Sequence, residues 1–316
     1  MTDGYGRKID YMRISLTDNC NLRCSYCMPE GKISDIHYLP VETVLKCVES
    51  AVCLGITNFR LTGGEPLIYP DIEKLIAKMR NMSGVNFIGI TTNGVFLSEK
   101  ADVLKTAGTD SINVSLDTVD SDEFRKITGR NCLRNVIDGI DAALDSRIKL
   151  KINTVLRSEV DVLKMIEFAN DKNIDIRFIE LMPVGIGEKN DIIPRKAVIE
   201  KLEEKYGKVC GVSKMHDENG PAEYYAFRKL GVRVGLIQAV HGKFCDRCNR
   251  IRITSDAGLK PCLADSRIID LKEALDIGKD ELTKIMRKAI YEKPKSHHFE
   301  DILCEKETKT MNMIGG

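Results

Sequence analysis

The chain has 316 residues, 43% of them apolar and 30% charged. These are the proportions of an ordinary soluble globular protein with room for one large domain and a smaller one, or for two of middle size. A formal net charge of +1 excludes a general pull toward nucleic acid or an anionic membrane, so any affinity for anions must be local. No stretch has the roughly 18 uncharged apolar residues of a membrane span, Met1 to Lys8 lacks the apolar core of a signal peptide, and a cytoplasmic protein is expected. In a reducing compartment clustered cysteines read as metal or redox sites. Of the 11 cysteines, Cys20, Cys24 and Cys27 form one group and Cys245, Cys248 and Cys262 another, while Cys47, Cys53, Cys132, Cys210 and Cys304 are scattered and expected as packing residues.

From Tyr11 to about Glu180, short β-rich runs alternate with amphipathic stretches, which predicts parallel strands with helices outside them. Strands are expected at Met12–Leu16, Asn58–Thr62, Asn86–Thr92, Ser111–Ser115, Lys149–Val155 and Ile174–Glu180. Helical periodicity covers Val41–Leu54, Asp71–Arg80, Ser98–Ala107, Leu133–Leu144 and Val160–Asn170. Six such units in place of eight predict an α/β fold, an incomplete (β/α)6 TIM-type barrel open at one side, with function gathered at the C-terminal ends of its strands. The polar or glycine-rich turns at those ends are the first cysteine loop, Gly63-Gly64-Glu65-Pro66, Thr91-Thr92-Asn93-Gly94, Ser115-Leu116-Asp117 and Leu181-Met182-Pro183.

The cysteine loop, Cys20-Asn21-Leu22-Arg23-Cys24-Ser25-Tyr26-Cys27, has the spacing CxxxCxxC. Thiolates suit zinc, copper(I) or iron–sulfur clusters. A structural zinc site usually has a second pair close by, and none follows here. A four-iron cube held by three cysteines leaves one iron for a small chelating molecule.

Alternate strand residues face opposite sides, and one side is polar. Arg13 and Ser15 alternate with Ile14 and Leu16, Arg60 and Thr62 with Phe59 and Leu61, Asn113 and Ser115 with Ile112 and Val114, Lys151 and Asn153 with Leu150 and Ile152, and Arg177 with Ile176 and Phe178. A filled barrel lines its lumen with Val, Ile and Leu; this one is expected to line it with Arg13, Arg60, Lys151 and Arg177. Gathered cations repel one another and need counter-charge, which points to a multiply charged anionic ligand. Ion pairs with Glu65, Asp117 or Glu180 are the alternative.

After Pro183 the rhythm changes, and residues 191–316 are expected as a smaller α+β region following a barrel of residues 1–190. Gly185-Ile186-Gly187-Glu188 reads as a flexible turn, and Pro194 opens a helix running to Tyr206. No GxxxxGK[ST] occurs, so a nucleotide would be held without that loop and phosphoryl transfer is disfavoured. Short strands from about Val209 lead to Cys245-Asp246-Arg247-Cys248 and then Cys262. The spacing also allows a zinc tetrahedron completed by His241. A strand over Asn249–Thr254, however, would turn Cys248, Arg250 and Arg252 to one side, and two guanidiniums beside an open metal corner make an anion fork. His297 and His298 lie in a polar segment and are expected to be solvated. The terminal Gly315-Gly316 either frays as termini do or slides where no side chain fits.

CxxxCxxC with Tyr26 before the last cysteine resembles the signature of the radical S-adenosylmethionine (SAM) superfamily. The wider set CNLRCSYCMP, RLTGGEPL, TTNG, NVSLD, RFIELM, CDRCNRIRITSDAGLKPCL and the diglycine end resembles, over nearly the full length, the GTP 3′,8-cyclase family of molybdenum cofactor biosynthesis. That resemblance implies a lyase with two [4Fe-4S] clusters, one on Cys20, Cys24 and Cys27 that binds SAM, the other on Cys245, Cys248 and Cys262 that meets the guanine of GTP. It implies SAM contacts from Tyr26, Gly64, Ser115 and Met182, and GTP contacts from Arg13, Arg60, Thr91, Lys151, Arg250 and Arg252. Arg177, Arg250 and Arg252, with Gly315 and Gly316 of a tail inserted into the site, are the implied catalytic residues. A 5′-deoxyadenosyl radical would take the 3′ hydrogen of GTP, and C3′ would then attack C8. An external electron donor and a following pterin-forming enzyme are implied partners, with no nucleic acid or membrane partner and a monomer or homodimer. In one departure, Asn58 stands where some relatives carry lysine. Two rival readings are a radical SAM enzyme with an auxiliary cluster acting on a peptide or tetrapyrrole, and a zinc-stabilised binding or electron-transfer module.

Overall fold

The computed structural model describes residues 1–28, 36–158, 160–184, 193–213, 220–297, 299 and 310–315. Its first half is β1 Tyr11–Ser15, α1 Val41–Cys53, β2 Asn58–Thr62, α2 Ile72–Arg80, β3 Phe87–Thr92, α3 Leu97–Ala107, β4 Ser111–Ser115, α4 Ser121–Thr128, α5 Leu133–Asp145, β5 Lys149–Leu156, α6 Val162–Asp171 and β6 Asp175–Glu180. Then follow α7 Arg195–Tyr206, β7 Val209–Ser213, β8 Glu223–Phe227, β9 Val234–Ile237, β10 Arg250–Ile253, β11 Gly258–Lys260, β12 Ile269–Asp270, α8 Lys272–Ile277, α9 Lys279–Tyr291 and α10 Met311–Ile314.

The six expected strands form and stand in sequence order, each parallel to the next. Their apolar alternates, among them Ile14, Leu61, Ile90, Ile112, Ile152 and Ile176, are fully buried in one core. Each such side chain contributes on the order of 2 kcal/mol. The strands of the second half extend this same sheet at both edges, in the order β12-β11-β10-β1-β2-β3-β4-β5-β6-β9-β8-β7. β10 joins β1 in parallel and β9 joins β6 in parallel; the outer strands are antiparallel. The sheet stays open, with β12 and β7 as its edges among the described residues. A partial barrel is thus lengthened by one parallel strand on each flank, and the second cysteine group is carried beside β1.

Four helices, α4, α8, α9 and α10, escaped the sequence reading. α4 has only Phe124 and Thr128 buried, too little apolar surface for a periodic signal. Its start was marked nonetheless, since the Asp120 carboxylate accepts from the amides of Asp122 and Glu123, the usual way an N-cap satisfies free donors. Of the scattered cysteines, Cys47 is buried as expected, whereas Cys53 and Cys210 are exposed and do not pack. Cys304, His298 and the 185–188 turn lie outside the described residues. No helix among the described residues is long and apolar enough to cross a membrane.

Candidate active site

Strand register sets the cations side by side. Arg252, Arg13 and Arg60 occupy partnered positions on β10, β1 and β2, and Gly89 of β3 follows Arg60. A second row runs Ser115, Asn153, Arg177 and then Gly235 of β9. In both rows the arginine lies across the glycine. A Cβ on Gly89 would stand 2.6 Å from Arg60 Nη2, and one on Gly235 would stand 2.8 Å from Arg177 Cγ. Neither glycine was singled out from the sequence, although glycine inside a strand signals close approach of another group.

These arginines, with Tyr11, Thr91 and both cysteine groups, line one cavity of about 320 Å³. Arg60 is clamped by donating from Nε to the Tyr11 hydroxyl at 2.6 Å and from Nη1 to the Ile90 carbonyl at 2.8 Å. Arg177 donates from Nε to Asn153 at 2.9 Å, while its Nη2, Arg250 Nη2 and Thr91 Oγ1 are buried with no hydrogen-bond partner. Burial, and then the neighbouring Arg252, hold Arg13 well below the ordinary arginine range. Burial and Arg250 bring Arg252 down to about 10. Burial works to raise the Tyr11 phenol, yet Arg60 and Arg13 outweigh it and hold it below its usual value. Lys151 stands apart from the lining: its ammonium donates to the Tyr224 hydroxyl at 3.1 Å and lies over that ring. Asn58 donates to the Asp10 carbonyl at 3.1 Å.

The carboxylates weighed earlier as counter-ions are used elsewhere. Glu65 accepts from Leu67 N, Thr92 Oγ1 and Asn93 N, and burial still lifts its carboxyl to about 7. Asp117 accepts from Tyr26 OH and Val155 N. Glu180 accepts from the amides of Val240 and His241 and meets the His241 ring. Among the described residues no carboxylate pairs with Arg60, Arg177, Arg250 or Arg252. The acids brace loops, and the guanidiniums line the cavity, where an anionic ligand would satisfy them.

Tyr26, Gly64, Ser115 and Met182 line this cavity beside the first cysteine group. Only glycine fits at position 64, where a Cβ would stand 2.1 Å from the Asn19 carbonyl oxygen. Burial pushes the Cys20 thiol up to about 11 and the Cys27 thiol up to about 12. Coordinating thiols are deprotonated outright, so this trio calls for a positive centre. Among the described residues no three Cys, His, Asp or Glu side chains are grouped so as to hold a single metal ion, and the His241 ring is hydrogen-bonded through Nδ1 to Glu180. A four-iron cube places its thiolates on separate irons. The donor set of each group, three thiols opening on the cavity, is of the kind such a cube needs.

The tail is docked, not frayed. Asn312 donates to the Asp18 carbonyl at 2.8 Å, Arg252 donates to the Gly315 carbonyl, and Gly315 has φ +75° with Thr62 directly against it. Gly316 lies outside the described residues. Asn312→Ala is expected to free this end at a cost of about 1–3 kcal/mol, because the buried Asp18 carbonyl loses its partner. Faster digestion by carboxypeptidase, at unchanged melting of the body, checks it. His297 corrects the expectation of a solvated ring: it is buried, bonded through Nε2 to the Ala239 carbonyl, and lines the cavity. Lys293, also buried and lining, was missed, for a single lysine after a helix carries no pattern.

Residues 14–171 match the radical SAM superfamily and residues 174–299 match Molybdenum Cofactor Synthesis C. Among solved structures, Streptococcus suis SuiB bound to S-adenosylmethionine superposes with a TM-score of 0.63 at 15% identity, over 94% of this chain and 77% of that one. Sequence family and fold together make this a radical SAM protein on a partial barrel. The GTP 3′,8-cyclase of Clostridium acetobutylicum is 40% identical over 323 residues and that of Clostridium perfringens strain 13 is 38% identical over 324, each alignment covering all of both chains. The chain belongs to the GTP 3′,8-cyclase family of radical SAM enzymes.

Proposed function

We propose that the chain is a lyase that converts GTP to 3′,8-cyclo-7,8-dihydro-GTP, with a SAM-binding four-iron centre on Cys20, Cys24 and Cys27 and a second one on Cys245, Cys248 and Cys262 that seats the guanine. The observation that carries this reading is one cavity onto which both cysteine groups and a row of arginines on adjacent strands open. When bound, the first centre and SAM supply a 5′-deoxyadenosyl radical able to take the ribose 3′ hydrogen.

The protein's own part is positioning, charge and exclusion of water. Arg13, Arg60 and Arg252 clamp the triphosphate from adjacent strands. Arg177 Nη2, Arg250 Nη2 and Thr91 Oγ1 offer buried polar atoms that lack a partner, and Lys151 adds charge from behind Tyr224. Tyr26, Gly64, Ser115 and Met182 hold SAM. Gly315, gripped by Arg252, and Gly316 complete the catalytic set. Fixing the nucleotide at both ends matters because the new bond joins two parts of one flexible molecule. An external donor provides the electron, and a pterin-forming enzyme consumes the product.

Anaerobic incubation with dithionite, SAM and GTP should give 5′-deoxyadenosine and a cyclised GTP derivative; protein that cleaves SAM yet does not bind GTP would overturn the substrate. A Cys245→Ala variant should fall from about eight to about four irons per chain and keep SAM cleavage while losing the GTP product. Zinc in place of the second four irons would contradict the assignment.

A further inference from the structure

Lys293 is only 2% exposed, and among the described residues no carboxylate pairs with it. A buried ammonium is costly unless an anion compensates it. Its Nζ donates to the carbonyl of Pro261 at 2.5 Å, the residue before Cys262, and Lys293 lines the cavity together with Cys245, Cys248 and Cys262. The chain after it is strapped over the second cysteine group. Arg7 donates to the Pro294 and Lys295 carbonyls at 2.7 and 2.9 Å and to the Cys245 carbonyl at 2.7 Å. The backbone amide of His297 is bonded to Cys245, and the His297 ring is tied to Ala239.

We propose that Lys293 is the counter-cation of the second iron–sulfur centre, held against it by the 293–297 strap, and that it raises that centre's reduction potential. This rests on the reading that Cys245, Cys248 and Cys262 hold a four-iron cube. Reduction adds one electron and hence one negative charge, which a neighbouring ammonium in a low-dielectric setting stabilises; cluster potentials respond to such charge and to hydrogen bonds at the sulfurs.

The test uses full-length protein with Cys20, Cys24 and Cys27 all changed to alanine, so that the second centre alone gives the paramagnetic signal, compared with and without Lys293→Met and Lys293→Arg in potentiometric titrations read by electron paramagnetic resonance. Lys293→Met should shift the reduction equilibrium at least tenfold toward the oxidised form, about 59 mV for a one-electron couple, and Lys293→Arg should restore it. Loss of iron in Lys293→Met with retention in Lys293→Arg also supports the proposal. An unchanged midpoint in an iron-loaded Lys293→Met variant, or iron loss in both variants, overturns the counter-cation role. Absence of iron from the triple-alanine parent overturns the underlying reading of a second centre, and is told apart because it precedes any change at Lys293.

Discussion

Arg252→Ala is expected to weaken GTP binding on the order of 100-fold while leaving the ligand-free protein at least as stable. Arg252 stands in register with Arg13, and burial together with Arg250 already brings its guanidinium down to about 10. In the absence of an anion it is therefore a strained neighbour: removing it relieves repulsion within a buried cationic row and gives up only its bonds to the Ile314 and Gly315 carbonyls. With a triphosphate in place the balance reverses. A buried charge-assisted contact contributes about 2–4 kcal/mol when one side is deleted, and about 1.4 kcal/mol is tenfold in affinity. Calorimetric titration of GTP into anaerobic protein, paired with thermal melting without ligand, separates the two roles. A fall in melting temperature with unchanged GTP affinity would assign Arg252 to the fold and remove it from the substrate site. SAM cleavage without GTP is expected to persist in the variant.

The same physics explains which parts of this arrangement were legible in the sequence. Strands β1 to β6 announce themselves because each has one face in a hydrophobic core and the other on a polar cavity, so Ile14 against Arg13 or Ile112 against Asn113 is visible residue by residue. The strand around Arg250 and Arg252 obeys the same rule. What the alternation does not reveal is the neighbour of an edge strand. Nothing local in Val234–Ile237 or Arg250–Ile253 says that these segments dock on β6 and β1; that pairing is settled by which edges the first six strands leave open. The supports of the site are hidden for a similar reason. Tyr11, Gly89, Gly235 and Lys293 act on arginines and cysteines distant in sequence, and each looks locally like an ordinary strand or helix-end residue. His297 was misjudged because a polar segment normally faces water, and here Arg7 folds that segment back over Cys245.

Gly89 gives the sharpest way to probe that hidden layer, and Gly89→Ala is expected to lower GTP affinity by about 10–100-fold at a stability cost of at most about 2–3 kcal/mol. In general a strand glycine changed to alanine gains about 0.4–1 kcal/mol from reduced freedom of the unfolded chain. Here the new methyl would lie 2.6, 2.7 and 2.9 Å from Nη2, Cζ and Nη1 of Arg60, far inside contact distance, and the guanidinium is the flexible party that must leave. Its bonds to the Tyr11 hydroxyl and the Ile90 carbonyl break, at about 1–3 kcal/mol for partners left unsatisfied, which the entropic gain partly offsets. The substrate loses a pre-set arginine, worth about 1.4–2.8 kcal/mol at these affinities. A double-mutant cycle decides whether the effect runs through that side chain. If it does, Gly89→Ala adds nothing to Arg60→Ala, since there is no guanidinium left to displace. Additive losses in GTP affinity would mean that the methyl obstructs the ligand itself, and Gly89 would then belong to the wall of the nucleotide site instead of to the seat of Arg60.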